Sequence, residues 1–265
     1  MRILLVNDDG LGAPGLQAME QAAAGDHDVV LVAPASERSA VSQGFTFHRS
    51  YRVRRLSGAV YSVDGTPVDC VMFALAQLGP FDAVCSGINK GANLAWDVWY
   101  SGTVGGALEA ARRGVPAMAV SLDTLSWPGP PLFDVAAQAL VEYWRTGLWD
   151  VARDGAVVNV NFPNEARLVR ESPRLALQGQ YVYNQNELEV RPLGPGEWES
   201  RVVQPRTLLE PSPDTDGRLV REGPTVSLLT VALSGEGEGR AVNLARWVDH
   251  FRMRGAQRDA IPGGR

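Results

Sequence analysis

The sequence predicts an α/β fold, namely a Rossmann-like, mainly parallel sheet with helices on both faces, a β-hairpin arm and a C-terminal extension. Short apolar runs alternate with segments of helical periodicity over the first 165 residues, which is typical of a parallel sheet covered on both faces. Hydrophobic residues make up 45% of the 265 residues and charged residues 21%, and such a chain can bury a sizeable core. We therefore expect a single domain over residues 1–265, with a core at 1–165 and an extension at 166–265.

The strands of the core are predicted from short apolar runs. Each run is four to six residues long, the usual length of a buried strand. The ranges are 2–6, 29–32, 82–85, 117–122 and 157–160.

Four segments with helical spacing of their apolar residues supply the crossovers between these strands. The first begins near Pro14 and the second covers 66–77, with Thr66 as N-cap and Pro67 in the first turn, where proline fits the helix backbone. The other two cover 103–113 and 133–143.

The remaining segments form the arm and the extension. Aromatic and apolar residues alternate with polar ones, several of them arginine, over 45–63, a pattern that favours a hairpin or arm. In the extension, 225–233 resembles a strand, 240–251 resembles a helix, and the tail 254–265 is expected to fray.

Charge and composition limit the classes of partner and the compartment. The chain has 25 basic and 30 acidic residues, hence a net charge of −5, which gives no general attraction for a nucleic-acid duplex or an anionic membrane. The first apolar run is too short for a signal peptide or a membrane span. Cys70 and Cys85 cannot form a disulfide framework. We expect a cytoplasmic protein that binds neither a duplex nor a membrane.

Two adjacent acids follow the first strand, in the run Asn7-Asp8-Asp9-Gly10. Neighbouring carboxylates repel each other, so in a crevice they stay charged mainly where a cation or strong hydrogen-bond donors offset them. An ordinary polar turn is the alternative, because asparagine, aspartate and glycine are common turn residues.

Residues 10–15 also form a literal GxGxxG between a strand and a helix, the fingerprint of dinucleotide binding. Three features argue against it: the two acids would face a pyrophosphate, Pro14 lacks an N–H, and the second strand ends at 33–35 without an acid for a ribose. A dinucleotide-dependent oxidoreductase is nevertheless kept as an alternative, together with a noncatalytic nucleotide sensor.

Further polar loops follow the next strands. Residues 36–42 contain three serines and an arginine, and 86–93 form a glycine-spaced loop with two asparagines around Lys90, the only lysine. Residues 101–103, Ser-Gly-Thr, directly precede a predicted helix. The free N–H groups at such a helix start can bind phosphate, although simple N-capping explains the same residues.

Taken together, these segments resemble the SurE survival proteins, a family of metal-dependent 5′-nucleotidases. Weaker similarity extends through 214–231, and Ala95 stands where the family usually has glycine. The motifs that carry the resemblance are NDDGLGAPG (7–15), the segment around Ser39, GTPVDC (65–70), SGINKGAN followed by DVWYSGTV (86–104), and VNVNFP (158–163).

The resemblance implies a site and an activity. One divalent cation per subunit, Mg²⁺ or Mn²⁺, would be held entirely by oxygen ligands, which suits these ions, while Asp8 and Asp9 would also be catalytic. Asp8 would position or deprotonate the nucleophile, or itself form an aspartyl-phosphate. The implied cation ligands are Asp8, Asp9, Ser39 and Asn89, and the implied phosphoryl-binding residues are Asn93, Ser101, Gly102 and Thr103.

The same resemblance implies substrates and assembly. Nucleoside 5′-monophosphates are the expected substrates, and some family members also accept 3′-nucleotides or short polyphosphate. A homodimer or homotetramer is expected, formed through the arm at 45–63 and the C-terminal extension.

Overall fold

The computed structural model describes residues 1–153, 155–179, 181–182, 188–202, 207–208, 213–230 and 243–253. The strands are β1 (Arg2–Val6), β2 (Asp28–Pro34), β3 (Val53–Ser57), β4 (Val60–Val63), β5 (Ala83–Lys90), β6 (Ala117–Asp123), β7 (Ala156–Pro163), β8 (Arg174–Leu175), β9 (Tyr181–Val182), β10 (Leu188–Gly194), β11 (Glu197–Val202), β12 (Thr207–Leu208) and β13 (Thr225–Thr230). The helices are α1 (Pro14–Ala23), α2 (Pro67–Gln77), α3 (Gly102–Arg112), α4 (Phe133–Arg145), α5 (Ala166–Val169), α6 (Asp216–Leu219) and α7 at 243–253.

One nine-stranded sheet organises the described chain, in the order β3-β4-β2-β1-β5-β6-β7-β13-β8. Strands β2, β1, β5, β6 and β7 are parallel neighbours, which confirms the predicted α/β class. Strand β13 runs antiparallel to β7, and β8 pairs parallel with β13. The sheet therefore continues into the segment that follows residue 165.

Two helical layers bury the faces of this sheet. On one face α1, α4 and α7 pack around Leu16, Leu140 and Trp247. On the other face α2 and α3 pack around Val71 and Val104. In the part of the chain that the structure describes, no helix is both long and apolar enough to cross a membrane.

The capping prediction for the second helix is confirmed. Thr66 accepts a hydrogen bond from the Asp69 N–H at 3.2 Å, and the Asp69 carboxylate accepts one from the Thr66 N–H at 2.9 Å. This reciprocal capping box satisfies two backbone donors at the start of α2, so the helix begins where the sequence places it.

The segment 45–63 differs in part from the predicted arm. Only 53–63 is a hairpin, and β4 pairs parallel with β2, so this hairpin extends the edge of the main sheet. Residues 45–52 form no strand. Asp69 holds them instead, because its carboxylate accepts bonds from the Thr46 N–H and hydroxyl at 2.8 and 2.7 Å, and His48 has a φ of 59°, which a strand does not allow.

Two predicted elements are only partly covered by the described residues. The predicted strand at 225–233 is seen as β13, and its last three residues lie outside the described part. The predicted helix at 240–251 corresponds to α7, and residues 240–242 and the tail 254–265 likewise lie outside it.

Candidate active site

A cavity of about 590 Å³ lies at the carboxyl edge of the parallel strands, where open α/β sheets bind ligands. It brings together side chains that follow β1 and β2, side chains from the end of β5 and the loop after it, and the residue that caps α3. The predicted site residues that line it are Asp8, Ser39, Asn89, Asn93 and Ser101. Gly102 and Thr103 lie behind the cavity wall against Asp8, and Asp9 is bonded to the last residue of β5.

Asp8 is buried at the floor of the cavity and is held by the start of α3. Its carboxylate accepts hydrogen bonds from the Thr103 hydroxyl and from the Thr103 N–H, the latter at 3.1 Å. A Cβ added to Gly102 would lie 2.9 Å from the Asp8 Oδ2 atom, so only glycine permits this approach. The N–H groups and the positive dipole end of α3 therefore face the Asp8 carboxylate.

Burial dominates the protonation of Asp8. Removal from water raises its pKa to about 6, the hydrogen bonds from Thr103 oppose this rise, and the charge of Asp9 adds to it. In the absence of a cation, burial therefore favours the neutral, protonated form of the Asp8 carboxyl group.

Asp9 has a different environment. Its Oδ2 atom accepts the Lys90 N–H at 3.0 Å, which ties the turn after β1 to the end of β5. Burial raises the pKa of Asp9, the Lys90 N–H opposes this, and the charge of Glu37 raises it further. The two adjacent acids are thus inequivalent in both burial and partners.

The hydroxyl and amide oxygens predicted as cation ligands are fixed by local bonds. The Ser39 hydroxyl donates to Glu37 Oε1 at 2.7 Å, so its lone pairs point away from that carboxylate. The Asn89 amide nitrogen donates to the Gly91 carbonyl at 2.7 Å, which turns its carbonyl oxygen to the opposite side.

This set fits a hard divalent cation. All the donors are oxygens, as Mg²⁺ and Mn²⁺ prefer, and a cation would offset the burial and mutual repulsion that raise the pKa values of the two acids. Within the described ranges no group of three or more histidine, cysteine, aspartate or glutamate side chains is placed to hold a metal. A cation here would therefore use the hydroxyl and amide oxygens beside the two acids.

The VNVNFP motif supports the loop that follows β5. Asn159 and Asn161 lie on the same face of β7, and their amide groups donate to the Asn93 carbonyl at 3.0 and 3.2 Å. Asn161 also accepts the Asn93 N–H at 2.8 Å, and the Asn93 amide donates to Ser121 at 2.7 Å. Asn93 is therefore held rigidly at the cavity wall by side chains from two neighbouring strands.

Ser101 caps α3 by accepting the Val104 N–H at 3.1 Å. Because Thr103 is bonded to Asp8 and Ser101 forms this cap, the start of α3 orients the Asp8 carboxylate as well as lining the site. The N-capping interpretation of the Ser-Gly-Thr loop is confirmed, and the phosphate-binding interpretation stays a prediction.

Two buried aspartates, one in the cavity lining and one that supports it, were missed by the sequence analysis. Asp123 ends β6 and lines the cavity; the strand-end rule used for Asp8 would have found it. Asp216 is buried and accepts N–H bonds from Ala95, Gly179 and Gly217 at 2.8, 3.0 and 2.7 Å. It joins the C-terminal segment to the loop that carries Asn93, including Ala95 with its φ of 50°.

The glycines of the GxGxxG run serve the fold. A Cβ on Gly15 would lie 2.0 Å from the Ile88 carbonyl oxygen, so this glycine lets α1 pack closely on β5. Gly10 has a φ of +98°, which turns the chain away after the two acids. Both positions are explained by turn geometry and helix packing.

The raised pKa of Asp8 gives a stability prediction for the metal-free protein. A carboxyl group whose pKa is higher in the folded state contributes stability below pH 3.8, and that contribution is lost as the pH rises through about 6. Asp8→Asn removes the ionisable group, and with it the loss of folding free energy that ionisation of the buried carboxyl causes at neutral pH. We expect its stabilisation relative to the wild type to be larger at pH 7.5 than at pH 5, by about 1 kcal/mol.

Thermal or urea unfolding in chelator at the two pH values measures this difference. Asp150→Asn, which alters an exposed ion pair with Arg153, is the control. An Asp8→Asn effect that is equal at both pH values would contradict the prediction.

Comparisons with known proteins agree with this architecture. Residues 3–185 match the family described as survival protein SurE. The 5′-nucleotidase SurE of Pelobacter propionicus is 42% identical over 191 residues, covering 71% of this chain and 76% of that protein. The 5′-nucleotidase SurE of Desulfovibrio desulfuricans is 37% identical over 228 residues, covering 82% and 88%.

A solved structure shows the same fold. The crystal structure of the SurE protein from Aquifex aeolicus superposes with a TM-score of 0.74 at 27% sequence identity, covering 93% of this chain and all of that one. None of these names supports the dinucleotide-dependent alternative. The chain therefore belongs to the survival protein SurE family.

Proposed function

We propose that this protein is a metal-dependent 5′-nucleotidase that hydrolyses nucleoside 5′-monophosphates to nucleoside and phosphate. The observation that carries the proposal is the buried Asp8 carboxylate, which lies at the floor of a cavity shared with Ser39 and Asn89. Relatives that cover most of the chain are named 5′-nucleotidase SurE. Activity on 3′-nucleotides and short polyphosphate belongs to the same proposal.

The residues that would hold the cation are Asp8, Asp9, Ser39 and Asn89. Mg²⁺ or Mn²⁺ bound there, one per subunit, supplies Lewis-acid polarisation of the phosphoryl group. The phosphoryl group itself would lie against Asn93 and Ser101, which line the cavity. Gly102 and Thr103, which the resemblance also implies, lie behind Asp8 and would act through that carboxylate. Asn93 fits this task because Asn159, Asn161 and Ser121 fix its position.

Asp8 would orient the attacking water and accept its proton. Thr103 holds the carboxylate from behind, which fixes its position as a general base requires. Direct attack of an Asp8 carboxylate oxygen on phosphorus is the second chemistry. It would break the bond between phosphorus and the nucleoside 5′-oxygen, which leaves with a proton from water, and give an aspartyl-phosphate that water then hydrolyses to free phosphate. Acid quenching during turnover of a radiolabelled substrate separates the two, because only the second leaves label on the protein.

Phosphate release over a panel of nucleotides, with and without chelator, tests the function. We expect turnover of nucleoside 5′-monophosphates that is lost on chelation and restored by Mg²⁺ or Mn²⁺. Full turnover after exhaustive chelation would contradict the metal requirement. Binding of a nucleotide without any phosphate release would instead indicate the noncatalytic sensor.

Lys90 is proposed to add positive charge at the mouth of the cavity, which it lines. Lys90→Ala keeps the N–H bond to Asp9, so it isolates the effect of the ammonium group. We expect kcat/KM to fall about two- to fivefold at low ionic strength, and the difference to shrink with added salt because exposed charges are screened. A change below about twofold at low salt would remove the electrostatic role.

Assembly into a homodimer or homotetramer is proposed from the hairpin of β10 and β11 and the extension around it. One face of this hairpin exposes Leu188, Val190, Trp198 and Val202, while the other carries the cross-strand pairs Arg191–Glu199 and Arg201–Glu189. A two-stranded hairpin is marginal by itself, so its apolar face is suited to a second subunit.

The mass in solution tests this assembly. Trp198→Ser is expected to shift sedimentation towards a smaller species without changing the far-ultraviolet dichroism, whereas Arg191→Ser on the ion-paired face should leave the mass unchanged. A wild-type protein that sediments as a monomer would contradict the proposed assembly.

A cytoplasmic location is also proposed for this protein, and fractionation of cells tests that location.

A further inference from the structure

Ala95 is held on both sides of its backbone by side chains from the C-terminal part of the chain. Its N–H donates to the Asp216 Oδ2 atom at 2.8 Å, and its carbonyl accepts the Gln178 amide at 2.8 Å. Gly179 packs so closely here that an added Cβ would lie 3.1 Å from Asp216 Oδ1 and 3.5 Å from the Ala95 Cβ. We call Asp216 and Gln178 the Ala95 clamp.

The backbone of Ala95 has a conformation that alanine rarely adopts. Its φ is 50°, in the left-handed region that favours glycine. The residue is fully buried and begins a short 3₁₀ helix, Ala95–Trp99. An L-residue keeps such a conformation only where its surroundings enforce it. The two hydrogen bonds of the clamp are therefore what fixes the turn of the chain at this point.

The stretch that passes through Ala95 joins two residues of the proposed phosphoryl site. Asn93 precedes this stretch and is fixed by β6 and β7, while Ser101 follows it and caps α3. We call residues 94–100 the wall segment, because several of them line the cavity, namely Leu94, Asp97 and Tyr100. Since its two ends are fixed, the turn at Ala95 determines the path of the wall segment along the cavity.

Asp216 is built as an internal anchor. It is 1% exposed, and its Oδ1 atom accepts the Gly179 and Gly217 N–H groups at 3.0 and 2.7 Å. Hydrogen bonds from N–H groups to a carboxylate are stronger than those between neutral groups. Gly217 and Arg221 line the cavity themselves, so this part of the chain borders the cavity as well as clamping its wall.

We propose that Asp216 is a positioning residue for the nucleotidase reaction, which clamps Ala95 together with Gln178 and thereby holds the wall segment where it contacts the substrate. This inference rests on the proposed function and deepens it. Asp8 is oriented by Thr103 at the start of α3, outside the clamp. The clamp therefore governs substrate binding more than the chemical step.

Asp216→Asn breaks the bond to Ala95 selectively. The carboxamide oxygen keeps its place towards the Gly179 and Gly217 N–H groups, because the opposite orientation would lose two bonds instead of one. The amide nitrogen then faces the Ala95 N–H, and two donors cannot bond each other. At saturating Mg²⁺ we expect KM for adenosine 5′-monophosphate to rise at least about fivefold, while kcat stays within about twofold of the wild type.

Gln178→Ala removes the other half of the clamp at a half-buried position, so it tests the proposal even if Asp216→Asn does not fold. We expect a rise in KM of about two- to threefold without a change in kcat. Glu222→Gln is the matched control, since it neutralises a half-exposed acid in the same part of the chain that pairs with Arg174 and Arg218. Its KM should equal that of the wild type.

Two kinetic results would overturn the proposal. One is a KM that both clamp variants share with the wild type. The other is a loss of kcat that exceeds the rise in KM, because a displaced wall segment weakens binding whereas a general loss of structure lowers the amount of active enzyme.

Limited proteolysis tests the clamp without any turnover. The wall segment carries exposed aromatic residues after which chymotrypsin cleaves, Trp96, Trp99 and Tyr100. Under native conditions we expect cleavage there to be at least about fivefold faster in Asp216→Asn than in the wild type or Glu222→Gln, because cleavage follows the population of the locally opened form. Cleavage after the exposed Trp198 of the β10–β11 hairpin should be unchanged and serves as the internal reference.

The outcomes of proteolysis and of kinetics separate the clamp from the activity. Equal cleavage of the wall segment in all three proteins would overturn the clamp. Faster cleavage in Asp216→Asn, together with no phosphate release from any nucleotide by the wild type, would overturn the proposed activity and with it the role of Asp216 in the reaction, while the clamp itself would stand.

Discussion

Asp8→Asn is expected to lower kcat at least about 100-fold, even when the divalent cation is saturating. Asparagine keeps the size of the side chain and one acceptor for Thr103, but it cannot take a proton from water, and loss of a general base has effects of this size. Asp9→Asn should act mainly by weakening the binding of the cation, because the Asp9 carboxylate is fixed by the Lys90 N–H and not by α3.

Metal titrations of both variants measure this division of labour. For Asp9→Asn we expect a weaker apparent affinity for Mn²⁺ and partial recovery of turnover with excess Mn²⁺. For Asp8→Asn excess Mn²⁺ should not restore kcat. Equal rescue of the two variants would contradict separate roles while leaving the nucleotidase proposal in place.

Gly102→Ala is expected to lower kcat about 10- to 100-fold by displacing Asp8. The new Cβ would lie 2.9 Å from both Cβ and Oδ2 of Asp8 and 3.0 Å from a methyl carbon of Val41. The carboxylate must then move away from Thr103, and small displacements of a positioned catalytic group have large effects on rate. The backbone of α3 tolerates alanine, so the helix should persist.

The matched control is Gly12→Ala, where an added Cβ meets nothing within 4 Å. Its kcat should equal that of the wild type. Kinetics at saturating substrate and metal, with far-ultraviolet dichroism to confirm folding, provide the comparison. A Gly102→Ala enzyme with kcat within twofold of the wild type would show that Asp8 does not need this close contact.

Much of the core was determined by local sequence. The strand at 2–6 and the helix that starts after Thr66 lie where the sequence analysis puts them. Apolar runs and capping residues act over a few neighbouring positions, so the helices and strands that they favour can be predicted from the sequence without knowledge of the fold. The cluster of Asp8, Ser39 and Asn89 was likewise foreseeable, because parallel strands end at one edge and the family motifs mark those ends.

Other features were decided only by the tertiary structure. Thr103 bonds Asp8 across 95 positions and Asn161 bonds Asn93 across 68, while Asp69 holds Thr46 away from the predicted arm. Such pairs depend on which strands become neighbours and how deeply their ends are buried. The whole sheet fixes that order when it buries its two faces, so local periodicity predicts the elements but not the partners of their side chains.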